Sequence, residues 1–333
     1  MQSLVIDRVR SYALPLLVLI VTWAIIASST PTFRGEASVF SVLEGFPLLG
    51  LIALGLAITI IAGELDLSVG SMAALAGVVA VKAGELGLLG AIGVAVAVGA
   101  TIGAAQGWII ARLAINSLVL TIGTLILLRG VAHLASDNAP SQLADFTVSD
   151  PLIERYSIFS PSSITALVVF AVLGLFLAYT RYGREIYAIG GAREEARAAG
   201  VPRSRPMVLA FALSGACAAL AGALASLKGG SAAPQNYADM LLAGAAAALI
   251  GGISLYGGKG TVIHVALGVA VLSAVAAGLA ARGSDASVTQ LVTGALLITV
   301  VATEFIAARL SRRARLRREA ARHELPPTTT APT

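Results

Sequence analysis

The stretch ITIIAGELDLSVGSMAALAG, residues 58–77, sets Glu64 and Asp66 inside an otherwise apolar run. A carboxylate at the centre of a bilayer costs about 2.5–3.5 kcal/mol on insertion scales. Gly63 can end one helix here, and Asp66 can cap the next by accepting from free N–H groups near Ser68 and Val69. The carboxylate would also meet the positive end of the helix dipole. The stretch therefore reads as a broken membrane helix. Two compatible roles stay open: Asp66 satisfies a helix start, or the break lines an aqueous cavity, as interrupted helices do in many transporters.

The composition agrees with a bilayer. Hydrophobic residues make up 57% of the 333 and charged residues 12%, against about 25% charged in soluble domains. The apolar runs approach 20 residues, the length needed to cross a hydrocarbon core of roughly 30 Å as helix. The short alternating segments of a membrane barrel are absent. We expect an all-α, polytopic membrane protein with ten spans, near 12–29, 46–63, 67–84, 88–111, 117–136, 162–180, 207–227, 241–256, 261–281 and 287–308. The one cysteine, Cys217, cannot form an internal disulfide. Residues 12–29 read as a span rather than a cleavable signal, being long for a signal core and lacking a convincing cleavage site.

The net charge of +5 does not point to nucleic acid, because the basic residues cluster beside spans: Arg8 and Arg10, residues 181–205, and residues 309–322. The positive-inside rule makes all three clusters cytoplasmic. An even number of spans returns the chain to the side where it began, so both termini are expected inside. Residues 137–161, with Asp137, Asp145, Asp150 and Glu154, fit the outside. The chain thus divides into a transmembrane domain, 1–308, holding a cytoplasmic segment at 182–206, and a basic then Pro/Thr-rich tail, 309–333, expected to be disordered.

YGREIYAIGGAREEARAAGVPRSRP, residues 182–206, is the longest internal polar stretch. Gly190-Gly191 and Gly200-Val201-Pro202 bracket a short Ala-rich helix in which Glu194 and Arg197 can pair. Such a helix, expected to expose Ala192, Ala196 and Ala199, suits a cytoplasmic docking partner better than a bare connector. The alternative is a solvated loop made basic by topology alone. LIGGISLYGGKGTV, residues 249–262, fails as a phosphate loop: Gly260 follows Lys259 where Ser or Thr is needed, and position 253 is Ile. It reads as a turn. Gly99, Gly103 and Gly107 suggest close helix packing rather than a substrate groove. His133 and His264 stand alone, and no metal-ligand spacing appears. Arg129 is the candidate to neutralise one of the two intramembrane carboxylates.

Four stretches carry a resemblance: GLAITIIAGELDLSVGSMAALAG, INSLVLTIGTLILLRGVAHLAS, GREIYAIGGAREEARAAGVP and LIGGISLYGGKGTVIHVALGVAVL. The chain resembles the inner-membrane permease subunit of ATP-binding-cassette sugar importers of the ribose/xylose/arabinose type, over nearly all of residues 46–308. The resemblance implies a multi-pass subunit of a bacterial inner membrane that moves a small sugar and catalyses nothing itself. It implies no cofactor on this chain, ATP being used by a partner. The implied partners are a second copy or sister permease, a cytoplasmic double-cassette ATPase and an extracytoplasmic sugar-binding protein. It puts ATPase coupling on Gly190, Gly191, Ala192, Glu194, Glu195, Ala196, Arg197, Ala199 and Gly200. The translocation path or its support is assigned to Glu64, Asp66, Ser68, Asn116 and Arg129. Two departures stand out: Glu64, where the family commonly has Gly, and Gln106 before Gly107, where it commonly has Asn. Against this stand an ion-coupled secondary transporter using Glu64 and Asp66, and a structural or receptor-like membrane protein.

Overall fold

A computed structural model describes residues 2–285, 287–299 and 302. The tail expected to be disordered, 309–333, and the end of the last span lie outside them. The helices are α1 (Gln2–Ser29), α2 (Glu36–Leu43), α3 (Leu51–Ile61), α4 (Val69–Lys82), α5 (Gly87–Leu113), α6 (Ser117–Ala135), α7 (Asp150–Ile153), α8 (Pro161–Tyr179), α9 (Arg181–Gly191), α10 (Arg193–Ala198), α11 (Ser204–Lys228), α12 (Met240–Gly251) and α13 (Val262–Ala280). A further apolar helix, α14, spans Ser287–Thr299. Among the described residues, seven helical stretches are long and apolar enough to cross a membrane, and α4, α12 and α14 are shorter apolar helices. Together they match the ten expected spans one for one. This is a polytopic α-helical membrane protein.

The second span is compound. α2 leads through Glu44 and Gly45 into one wide helical turn, Phe46–Gly50, that carries Pro47 and runs straight into α3. A proline inside a helix removes one backbone bond, and a wider turn absorbs the loss.

α11 is the central post, its sequence rich in Ala, Gly and Ser and most of its residues buried against α3, α4 and α5. Lipid tails are as apolar as Leu, so membrane helices associate by packing rather than by escape from water. The stripe on α5 meets this need. Gly107 lies so near α11 that a Cβ would stand 2.6 Å from the Met207 carbonyl oxygen, and Gly99 and Gly103 face Gly215 and Phe211 in the same way. The outer faces of α5 and α6 stay apolar and exposed, with Trp108, Val119, Ile122 and Ile126 turned outward.

The two ends of the bundle differ in charge. At the acidic end the 137–161 connection forms a two-residue strand, β1 (Ser141–Gln142), paired antiparallel with β2 (Ser231–Ala232) after α11. There Lys82 closes α4 with a 3.3 Å ion pair to Asp137. The basic end carries α9 and α10. α4 has only 14 residues, about 21 Å of rise. It is therefore shorter than the full hydrocarbon thickness, and residues 62–68 join it to α3 without helix.

Candidate functional site at the α3–α4 break

α3 ends by a glycine cap. Gly63 takes φ +79°, Glu64 N–H donates to the Thr59 carbonyl at 3.0 Å, and Gly63 N–H donates to Ile60 at 2.9 Å. These two bonds satisfy carbonyls that a helix end otherwise leaves bare. The chain then runs unwound through Glu64, Leu65 and Asp66 before α4 begins.

Asp66 is 1% exposed. Its Oδ1 accepts from Ser68 N–H at 3.0 Å and Ser68 Oγ at 2.6 Å, and its Oδ2 from Ser214 Oγ on α11 at 2.9 Å. Ser68 rather than Asp66 occupies the cap position of α4, so the expected bond near Val69 is not made; Asp66 closes the turn just before it. The network continues outward. Gln106 Nε2 on α5 donates to Ser68 Oγ at 3.0 Å and to Thr124 Oγ1 on α6 at 2.8 Å. Ser117 and Thr121 of α6 reach the backbone of Leu65, each at 3.4 Å. Three helices, α5, α6 and α11, thus hold the break through hydroxyls and one amide. Asn116 caps α6, accepting from Leu118 N–H at 2.8 Å, and itself lies exposed at the helix end.

Glu64 goes elsewhere. Its carboxylate accepts from Arg193 Nη2, the first residue of α10, at 2.8 Å. The expected partner, Arg129, is exposed on α6 and pairs with neither carboxylate. The reason is placement: Glu64 lies at the basic end, where α9 and α10 pass beneath α3.

α9 starts at Thr180, whose Oγ1 accepts from Gly183 N–H at 3.0 Å. It buries Ile186, Ile189 and Glu185, the last held by Arg181 at 2.9 Å and Arg205 at 3.5 Å. Tyr187 OH donates to the Gly260 carbonyl at 2.8 Å, and burial, with Tyr12 nearby, pushes its phenol up to about 12. At Gly190 the packing reaches backbone on backbone: a Cβ there would overlap the Ile61 carbonyl oxygen, which itself accepts from Gly258 N–H at 2.8 Å. The 249–262 stretch, read from sequence as a turn, is therefore also the floor on which α9 rests. Ala192, extended at φ −155°, separates α9 from α10.

α10 differs from expectation in two ways. Ala196 is buried, facing back into the protein, while Ala192 and Ala199 are exposed as expected. Glu194 and Arg197 both point to solvent and do not pair. The turn after α10 closes at Gly200, φ +83°, with Val201 N–H donating to Ala196 at 3.0 Å, and this fold-back turns Ala196 inward.

A family model described as the permease component of branched-chain amino acid transport systems matches residues 38–301, which takes in the break, the α9–α10 segment and the Gly257-Gly258 floor. The chain belongs to this permease family. Curated relatives agree. Ribose import permease protein RbsC of Escherichia coli strain K12 is 31% identical over 293 residues, 86% of this chain and 91% of that protein. L-arabinose ABC transporter permease protein AraH of Azospirillum brasilense is 29% identical over 288 residues, covering 86% and 85%. Galactose/methyl galactoside import permease protein MglC of Escherichia coli strain K12 is 33% identical over 310 residues, covering 86% and 92%. No solved structure matches the chain.

At its acidic end the permease holds a clasp that sequence reading missed. Glu44, after α2, takes an ion pair from Lys228 at the end of α11 and a hydrogen bond from Ser160 at the start of α8. The signal was there as two lone opposite charges, Glu44 and Lys228, each bordering an apolar run. Glu44 also borders a groove of about 1110 Å³ between α2, α12, α13 and α14, otherwise mostly apolar. Among the described residues of the permease, no three His, Cys, Asp or Glu side chains converge as metal ligands do.

Proposed function

We propose that this permease is the membrane-spanning translocation subunit of an ATP-driven importer for a monosaccharide. It pairs with a second copy or a sister permease, takes substrate from an extracytoplasmic binding protein at its acidic end, and docks a double-cassette ATPase at its basic end. On this reading the subunit sits in a bacterial inner membrane with both termini and the 182–206 segment in the cytoplasm. The observation that carries the reading is α10: a six-residue helix with Glu194, Glu195 and Arg197 in solvent, hung from an α9 that is clamped to the membrane core. A connector needs no such helix. The sugar reading is supported by the names of the relatives, which import ribose, arabinose and galactose.

The family description favours one second reading, import of a branched-chain amino acid. An ion-coupled carrier is less well supported, because Asp66 is sealed among hydroxyls and Glu64 is ion-paired. Reconstitution into proteoliposomes with a double-cassette ATPase and an extracytoplasmic binding protein from the same organism tests these readings together. Uptake of labelled ribose, arabinose, galactose and leucine is measured with and without ATP. ATP-dependent sugar uptake that survives an ionophore is expected. Uptake that collapses with the ionophore, or that accepts only leucine, overturns the reading. Orientation is checked by single cysteines in a Cys217→Ala background: Ala144→Cys should label from outside and Ser204→Cys only from inside.

A further inference from the structure

We infer that the Glu64–Arg193 ion pair is the link through which movement of α10 reaches the α3–α4 break. Glu64 and Arg193 act as positioning residues for translocation; the inference rests on the ATP-driven reading above. Three features of the structure carry it. First, the coupling segment is divided in two at Ala192. α9 cannot slide, because Gly190 lies against the Ile61 carbonyl and Gly258 is seated on Gly191. Of the six residues of α10 only Ala196 is buried, and among the described residues only Arg193 makes an ion pair with the rest of the protein. Second, Arg193 is the first residue beyond that division, and it reaches back across α9 to Glu64 at 2.8 Å. Its side chain is 41% exposed and that of Glu64 is 10% exposed, so the pair runs from the solvent edge into the protein. Third, Glu64 lies one residue past Gly63, whose left-handed φ of +79° ends α3, and two before Asp66, which is tied to α11. The only unwound chain between α3 and α4 is therefore held at one end by Asp66 and gripped near the other by Arg193.

Displacement of α10 by a docked ATPase would draw Arg193 and pull on Glu64. The strain falls on residues 62–66, since the helices on either side are packed. A charge-assisted hydrogen bond between partly desolvated groups is stiff enough to transmit such a pull, being roughly twice as strong as a neutral one.

The test uses the full complex in proteoliposomes and reads sugar moved per ATP hydrolysed, with ATPase co-purification as a control. Glu64→Gln and Arg193→Gln should each keep the ATPase bound and lower that ratio about threefold or more. The double variant should be no worse than either single, as coupled partners require. Arg193→Lys, which keeps the charge, should recover part of the ratio and serves if Arg193→Gln assembles poorly. An unchanged ratio in both singles, or losses that add in the double, overturns the inference while leaving ATP-driven import standing. A loss of assembled complex with a wild-type ratio also overturns it, since that is what a merely structural pair gives. Wild-type uptake that needs no ATPase overturns the functional reading and the inference with it.

Discussion

Glu64 and Asp66 stand two residues apart on one unwound segment, and their surroundings have little in common. Asp66 is closed in by neutral donors from its own turn and from α11, with Gln106 and Thr124 behind them. Glu64 meets a full positive charge carried by a helix that is largely in solvent. The first arrangement fixes the segment to the core, where low dielectric makes each bond costly to break. The second connects it to something that can be moved from outside. A break in a membrane helix can thus be anchored and controllable at once, provided its polar groups are divided between the two tasks.

The widest gap between the two sides should appear at Asp66. Asp66→Leu leaves the Ser68 N–H and the hydroxyls of Ser68 and Ser214 without their acceptor, at about 1–3 kcal/mol for each buried group left unpaired. We expect the yield of monodisperse protein in detergent to collapse, whereas Asp66→Asn, which still accepts, keeps most of it. Equal yields from the two variants would break the comparison. Next in size is Gly190→Ala, whose new Cβ meets the Ile61 carbonyl. The overpacking should cost about 1–3 kcal/mol, seen as a lower melting temperature.

Ala196 and Ala199 sharpen the contrast on α10 itself. Ala196→Glu buries a charge and should loosen α10, so the chain becomes protease-sensitive near residue 196. Ala199→Glu sits in solvent and should leave folding alone while weakening capture of the ATPase. The pH response of Tyr187 is a smaller effect. Its phenol is raised from the ordinary 10.0 to about 12 in the fold, so the folded form holds the proton more tightly. Its contribution is fully present below pH 10 and is lost as pH rises through 12. Tyr187→Phe should flatten that alkaline loss in a melting series. Smallest of all is Arg129→Gln, expected within about 0.5 kcal/mol of wild type, because Arg129 is exposed and has no ion-pair partner among the described residues.

The helices and the break were legible because both are written in runs. About twenty apolar residues specify a span whatever its neighbours, and Gly63 before Asp66 marks a stop and a start. Partners at long range were not. Ser214 lies 148 residues from Asp66, and serines recur along every small-residue helix, so no pattern singles it out. Arg129 stands out in the sequence as a partner for one of the two carboxylates because it, too, is a charge within an apolar run. The segment of Arg193 reads as solvent, and nothing in the sequence brings it across α9 to Glu64. Ala196 was misplaced for a different reason: six residues are under two turns of helix, too few for a period to fix a face.

The glycines of α5 bear on how this molecule can change shape. Helices that touch through side chains can slide by letting rotamers exchange. Where Gly99, Gly103 and Gly107 press on the main chain of α11, there are no rotamers to exchange, and any slide would drive carbonyl into carbon. α5 and α11 therefore travel as one body, as a keel does with its ribs. A cross-link placed between α5 and α11 should therefore cost the transport cycle nothing.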